Sequence, residues 1–302
     1  HTVTRRQRQM CIRDRFEAEQ MEGMEVGELL KQYAAGERNF KGISLVGMDL
    51  TGANLSNADF TRANLCGVIL KNANLSGVNF REVSLWNAYL SGTDLSEANL
   101  IGTNLVKANL SEANLSGANL RGSNSQEANL SRANLSRANL SEANLTKANL
   151  TKANLSEATM IRVNLIRAIL SGSNLESVNL TNALMNESIL QEVNLTNGIL
   201  SGAMLSGSNL SKADLSKSIT IGATLSEANL SGAKLRITNA SWTTLRGANL
   251  TGANLFRAKL SWSNLTGAIL IKAVLIDAKL NKTNLRDAEM SGAIMPDGKT
   301  FH

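Results

Sequence analysis

The hydrophobic positions of this chain recur every five residues. From Leu45 to Met295 every fifth residue is a centre, and 42 of these 51 centres are leucine. Phe60, Phe80, Met160, Met185, Met290 and Met295 supply most of the others, and Ser125, Thr220 and Ala240 are the exceptions. Two residues before each centre the side chain is usually small, alanine in 31 of the 51 cases, and Asn or Asp usually stands just before the centre. A period of five suits neither regular element. On an α-helix each step of five turns the side chain by about 140°, and on a flat strand successive centres point to opposite faces. Either arrangement leaves many leucines in water. The pattern therefore requires a backbone that turns a corner every five residues, so that each centre, and the small residue two before it, face one interior axis.

The run Ala108-Asn109-Leu110-Ser111-Glu112-Ala113-Asn114-Leu115-Ser116-Gly117 resembles the A-(D/N)-L-x-x motif of the pentapeptide-repeat family, and the same phase covers about 260 of the 302 residues. The resemblance implies an all-β fold: a right-handed quadrilateral parallel β-helix with four pentapeptides per 20-residue coil. It implies about 13 coils over residues 41–300 and a cylinder about 60 Å long at the usual spacing between strands. Leu110, Leu130 and Leu150, with Ala108, Ala128 and Ala148, are then expected to stack in the core. Each fully buried leucine contributes roughly 1.5–3 kcal/mol, largely offset by chain entropy, so a single coil should not fold alone.

Solenoids need covered ends. Glu25 to Ala35 reads as a helix, with apolar residues Val26, Leu29, Leu30 and Tyr33 at helical spacing and Gly36 as its stop; it is expected to cover the first coil, with Phe40 as the first centre in phase. The chain divides into a leader (1–15), a capping-helix segment (16–36), the repeat (37–298) and a tail (299–302). Met10-Cys11-Ile12-Arg13-Asp14-Arg15 resembles a translated transposase-adapter end, so residues 1–15 are expected to be non-native. The competing reading is a basic arm for nucleic acid or membrane. No capping helix is visible after Met295, so the last coil is expected to be open, and an open end could pair with a second copy of the chain in a homodimer.

Charge narrows the reading further. Net charge is +6, but residues 41–231 carry 14 basic and 14 acidic side chains while residues 232–302 carry 10 and 4. The only histidines are His1 and His302, and Cys11 and Cys66 lie outside any C-x-x-C pair. No Ser-His or Cys-His nucleophile can be assembled, no His/Cys metal cluster or disulfide framework is expected, and the glycines fall on the repeat grid rather than in a phosphate loop. The expectation is a non-enzymatic protein with no cofactor and no small-molecule substrate. No apolar run is long enough for a membrane span and none reads as a signal peptide, which favours the cytoplasm over a thylakoid lumen, and recurring sequons such as Asn54-Leu55-Ser56, which a eukaryotic secreted protein would carry glycosylated, favour a bacterial setting.

Written in rows of 20, the chain shows which residues share a column. Trp242 and Trp262 stand one coil apart, near Phe256 and Ile276, and make the C-terminal third apolar on its outside. Val46, Cys66, Trp86 and Val106 share another column, flanked by Ile69 and Tyr89. Contiguous exposed apolar patches mark interaction sites, although ladders of like residues also stabilise stacked coils. Lys259, Lys279 and Lys299 form a third column beside Arg257, Asp277 and Asp297, expected to be a screened set of surface pairs. These features point first to a scaffold that binds an unidentified protein. The family's gyrase-binding members, which mimic acidic duplex DNA, are a poorer match, because residues 41–297 hold 23 basic and 18 acidic side chains. Binding of nucleic acid or an anionic membrane through the basic C-terminal third is a further alternative, without an aromatic-rich recognition motif behind it.

Overall fold

The structure, a computed structural model, describes residues 24–302; the leader and the start of the capping segment lie outside the described residues. Among the described residues one helix, α1 (Val26–Ala34), is followed by a single solenoid. Its coils pair in parallel with a constant offset of 20, from Asn39 with Asp59 to Val274 with Ile294. A turn follows every centre, so each 20-residue coil contains four turns.

The unit Asn109–Ala113 shows why five residues suffice. The Asn109 N–H donates to Ala88 O in the preceding coil (2.9 Å), and the Leu110 and Glu112 N–H groups donate to Asn129 O and Ser131 O in the following coil (2.7 and 2.9 Å). The Ala113 N–H closes the turn on Leu110 O (3.1 Å). The remaining N–H, that of Ser111, donates to Asn109 Oδ1 at 3.1 Å. Every amide of the unit is thus satisfied, as burial against a neighbouring coil demands. The Asn or Asp before the centre is the residue that completes the set, because its short carboxamide or carboxylate reaches the amide two positions on.

The turn also dictates what its third residue can be. Glu112 there has φ +61° and Gly117, one unit later, φ +67°. This is the left-handed region, which only glycine enters without cost and Asn at low cost. Glycine, Asn and long charged side chains fill most of these corners, whereas Ile237, Trp242 and Trp262 hold φ of 61°, 60° and 63°.

Inside, Leu110, Leu130, Leu150, Ala108, Ala128 and Ala148 are completely buried. In the first coils Phe40 stacks on Phe60 at 5.4 Å between centroids, and Phe80 lies tilted against Phe60 at 5.6 Å. Three core positions, in two columns, carry a smaller residue. Ser125 replaces a leucine, and its hydroxyl, like that of Ser123, has no hydrogen-bond partner among the described residues. Thr220 and Ala240 are successive members of one column, between Leu200 and Leu260; Thr220 O accepts the Thr243 hydroxyl at 2.6 Å.

At the N-terminal end, Leu29 of α1 is fully buried while Met24, Val26 and Tyr33 pack partly against the core. The Tyr33 hydroxyl donates to Ser56 O at 2.9 Å, and the Arg38 guanidinium lies 3.8 Å over the Tyr33 ring. Leu30, counted from sequence with the covering face, is instead exposed. The other end departs from the expectation of an open coil. The chain reverses through Pro296–Gly298, with Gly298 at φ +82°, and Thr300 pairs antiparallel with Ile294. Gly292 N–H donates to Phe301 O and Phe301 N–H to Ala293 O, both at 2.8 Å. The segment read as a tail therefore covers one side of the last coil, while Leu280, Leu285 and Met290 stay half-buried on the others.

Candidate interaction surface

The register brings the C-terminal columns onto one side of the solenoid. Lys259 pairs with Lys279 along its middle. One flanking corner holds Arg236, Phe256, Arg257 and Ile276; the other holds Trp242, Trp262 and Lys282. Trp242 and Trp262 stack with centroids 4.8 Å apart and planes 4° from parallel, and the Lys282 ammonium sits 4.0 Å over the Trp262 ring. Trp242 is 59% exposed and Trp262 46%, whereas Phe256 and Ile276 are half-buried. The Arg257 guanidinium lies 4.8 Å from the Phe256 ring centroid.

The lysine column is only partly screened. Arg257 pairs with Asp277 at 3.1 Å and Lys299 with Asp297 at 3.5 Å, but Lys259, Lys279, Lys282 and Arg236 make no ion pair among the described residues. Elsewhere the corners are laced by pairs between adjacent coils, such as Arg62–Glu82 (2.9 Å) and Arg167–Glu187 (2.8 Å). Exposed pairs of this kind contribute little to stability, because water and salt screen them.

The N-terminal patch is smaller than its column suggests. Cys66 and Val106 are buried, Trp86 and Ile69 are half-buried, and Tyr89 alone of this group stands out into solvent. The Cys66 Sγ lies 3.1 Å from the Ser84 hydroxyl; Cys11 lies outside the described residues.

A third apolar region was not singled out from sequence. Ile169, Ile189, Ile199, Met204 and Ile219 are all exposed at the position before a centre, where Asn or Asp is usual, and Ile221 is exposed at a turn. Ile199 pairs with Ile219, and Leu184 with Met204, on neighbouring sides of the solenoid. Replacement of Asn by Ile or Met removes the acceptor that serves the next-but-one amide in other units. The signal was present in the rows of 20 as successive apolar entries in columns otherwise polar.

Among the described residues no group of His, Cys, Asp and Glu could hold a metal ion, and no helix is long and apolar enough to cross a membrane. A parallel solenoid with a filled interior, turning a corner every five residues, defines a repeat protein. The chain belongs to the pentapeptide-repeat family, whose members fold as right-handed β-helices: the model of pentapeptide repeats matches it eight times, from residue 39 to residue 295. Among solved structures, it is 37% identical to HetL, a pentapeptide repeat protein involved in heterocyst differentiation regulation from the cyanobacterium Nostoc sp. strain PCC 7120, over 92% of this chain and 100% of that one, with a TM-score of 0.25. A pentapeptide repeat protein of the Arabidopsis thaliana thylakoid lumen is 30% identical over 39% of this chain and 72% of its own, with a TM-score of 0.27. QnrB1, a plasmid-mediated fluoroquinolone resistance protein, is 18% identical over 70% and 92%, with a TM-score of 0.28. At these scores the superpositions themselves carry no argument; the family rests on the repeat. No curated protein matches the chain.

Proposed function

We propose that this protein is a non-enzymatic scaffold: a four-sided cylinder of about 13 coils that binds a protein partner through its C-terminal apolar and basic side. The observation that supports this reading is that Ile237, Trp242 and Trp262 are bulky, about half exposed, and held at positive φ. A left-handed backbone costs an L-residue roughly 1–2 kcal/mol, and a β-branched residue there is an outlier even among those. Glycine or Asn would remove the strain at each corner. Strained residues kept on a surface are hallmarks of a site that contacts something else. The departures also coincide in space. Thr220 and Ala240, which weaken the core, lie behind the side on which Ile219, Ile237 and Trp242 emerge, and such local breaches of an otherwise consistent repeat gather at functional places.

A smaller surface around Trp86, Tyr89 and Ile69 is a second docking area in the same reading. Pairing of two copies through the last coil fits the half-buried Leu280 and Leu285. The bacterial cytoplasm is the setting this reading adopts. Mimicry of duplex DNA toward a topoisomerase fits poorly, because the cylinder carries more basic than acidic side chains. The test is capture of partners from a native lysate by the full chain and by a Trp242→Gly/Trp262→Gly/Ile237→Asn variant. The variant should keep its fold by circular dichroism and lose specific partners. Identical capture profiles would reject the C-terminal side as the docking surface.

A further inference from the structure

The column that carries the tryptophans continues in the other direction as glycine. Reading toward the N-terminus it runs Lys282, Trp262, Trp242, Gly222, Gly202. Lys282 covers one end of the indole pair. At the other end a side chain at Gly222 would meet nothing within 4 Å, whereas the Asn182 carboxamide lies over Gly202, so the outer face of Trp242 looks onto a corner left open for one coil. Exposed apolar residues stand on both flanks of that corner: Ile199 and Ile219 on one side, Met204 on the other, with Ile221 at the turn beside Gly222. The result is a notch floored by Gly222, with aliphatic walls, an indole at one end and the Asn182 carboxamide at the other. Beyond the indole, along the same side, come Lys259 and Lys279, with Arg236 and Lys282 on the flanking corners.

We infer that this surface binds a polypeptide segment in which apolar residues are followed by a run of carboxylates, the apolar part seated in the notch and the acidic part on the lysine column. This deepens, and rests on, the reading of the C-terminal side as a protein-docking surface. Charge complementarity selects the acidic half: four cations there are unmatched by any carboxylate among the described residues, and the side faces water with a net positive field that would steer an acidic partner. The same field opposes a second copy of this chain, which would bring like charges together. Shape favours a chain over a bilayer. Ile199 and Met204 lie on different sides of a corner, and the exposed row continues round to Ile169 and Ile189 on a third. A peptide can wrap a corner, whereas a flat membrane touches one side at a time. From Ile199 to Lys279 the footprint spans four coils, about 19 Å, which roughly six extended residues or a dozen helical ones would cover.

The probe is a display library of random peptides about a dozen residues long, selected on the immobilised full chain. Enriched sequences should place aromatic or branched apolar residues before Asp and Glu. A synthesised winner should bind more than about tenfold more weakly to Ile219→Asn/Trp242→Gly; Asn and Gly already occupy these columns in neighbouring coils, so circular dichroism should be unchanged. Lys259→Gln/Lys279→Gln should weaken binding and flatten its dependence on salt. Enrichment of apolar peptides with no acidic half would overturn the inference while leaving a protein-docking surface intact. If nothing is enriched, or if phosphatidylserine vesicles or an oligothymidylate bind instead and are released by the same substitutions, both the inference and the protein-docking reading of this side are rejected.

Discussion

The indole of Trp242 lies on that of Trp262 at 4.8 Å, within 4° of parallel, and that spacing is the rise of one coil. Aromatic contact of this kind contributes about 0.5–1.5 kcal/mol, while each left-handed corner costs roughly 1–2 kcal/mol. Partial burial of the rings adds a similar favourable amount. The terms nearly offset, so the pair does not exist mainly to hold the coils together. Trp242→Gly is therefore expected to shift stability by no more than about 1 kcal/mol in either direction, read by urea denaturation. A loss of several kcal/mol would mark the ladder as a structural staple.

Ser125 stands in a core column between Leu105 and Leu145, with a hydroxyl that finds no partner among the described residues. Ser125→Leu restores the column and removes a desolvated polar group that costs about 1–3 kcal/mol. The variant should gain about 1–3 kcal/mol and melt at a higher temperature in differential scanning calorimetry. A lower melting temperature would show that the space has already closed.

Asn134 serves three bonds at once. Its carboxamide oxygen accepts Ser136 N–H and Asn154 Nδ2, both at 3.2 Å, and its own Nδ2 donates to Asn114 Oδ1 at 3.3 Å. Asn134→Ala should cost about 1–2 kcal/mol, and amide hydrogen exchange should rise at Ser136 before it rises elsewhere in the coil. Uniform exchange across the coil would contradict this account of the Asn position.

Acid should loosen the ion-paired corners. A bond from Arg162, then the nearby charge of Arg121, holds the Glu142 carboxyl below its ordinary value of 4.5; bonds from Arg62 and Arg167 do the same to Glu82 and Glu187. A carboxylate whose folded pKa is depressed adds stability that is fully present above the unfolded value. That stability is lost as pH falls through the lower, folded value. These groups are exposed, so each effect is small. The melting temperature should fall between about pH 5 and pH 3, and Glu142→Gln should flatten the fall. An unchanged slope in the variant would remove Glu142 from the account.

Much of this architecture is legible in the spacing of Leu and Ala, because a five-residue period has few solutions that bury every centre. The recurring Asn was visible without its reason, since its acceptor role appears only once the turn fixes which amide lies two residues on. The column of Trp242 and Trp262 could be read by writing the chain in rows of 20. The exposed aliphatic residues Ile199, Met204 and Ile219 could not be told from core residues by hydrophobicity; only their place one residue before a centre puts them outside. Reversal of the chain at Pro296 was hidden because it depends on the edge of the last coil being free to accept a strand.

Because every five-residue unit repeats the same hydrogen bonds to the coils on either side, length and orientation can vary separately in this molecule. Inserting or removing 20 residues ahead of Gly202 would slide the notch and its lysines along the axis and leave them pointing the same way. Inserting five would rotate everything beyond by a quarter of a revolution at almost no axial displacement. The chain thus behaves as a threaded spindle on which the direction a surface faces is written in fives and its height in twenties.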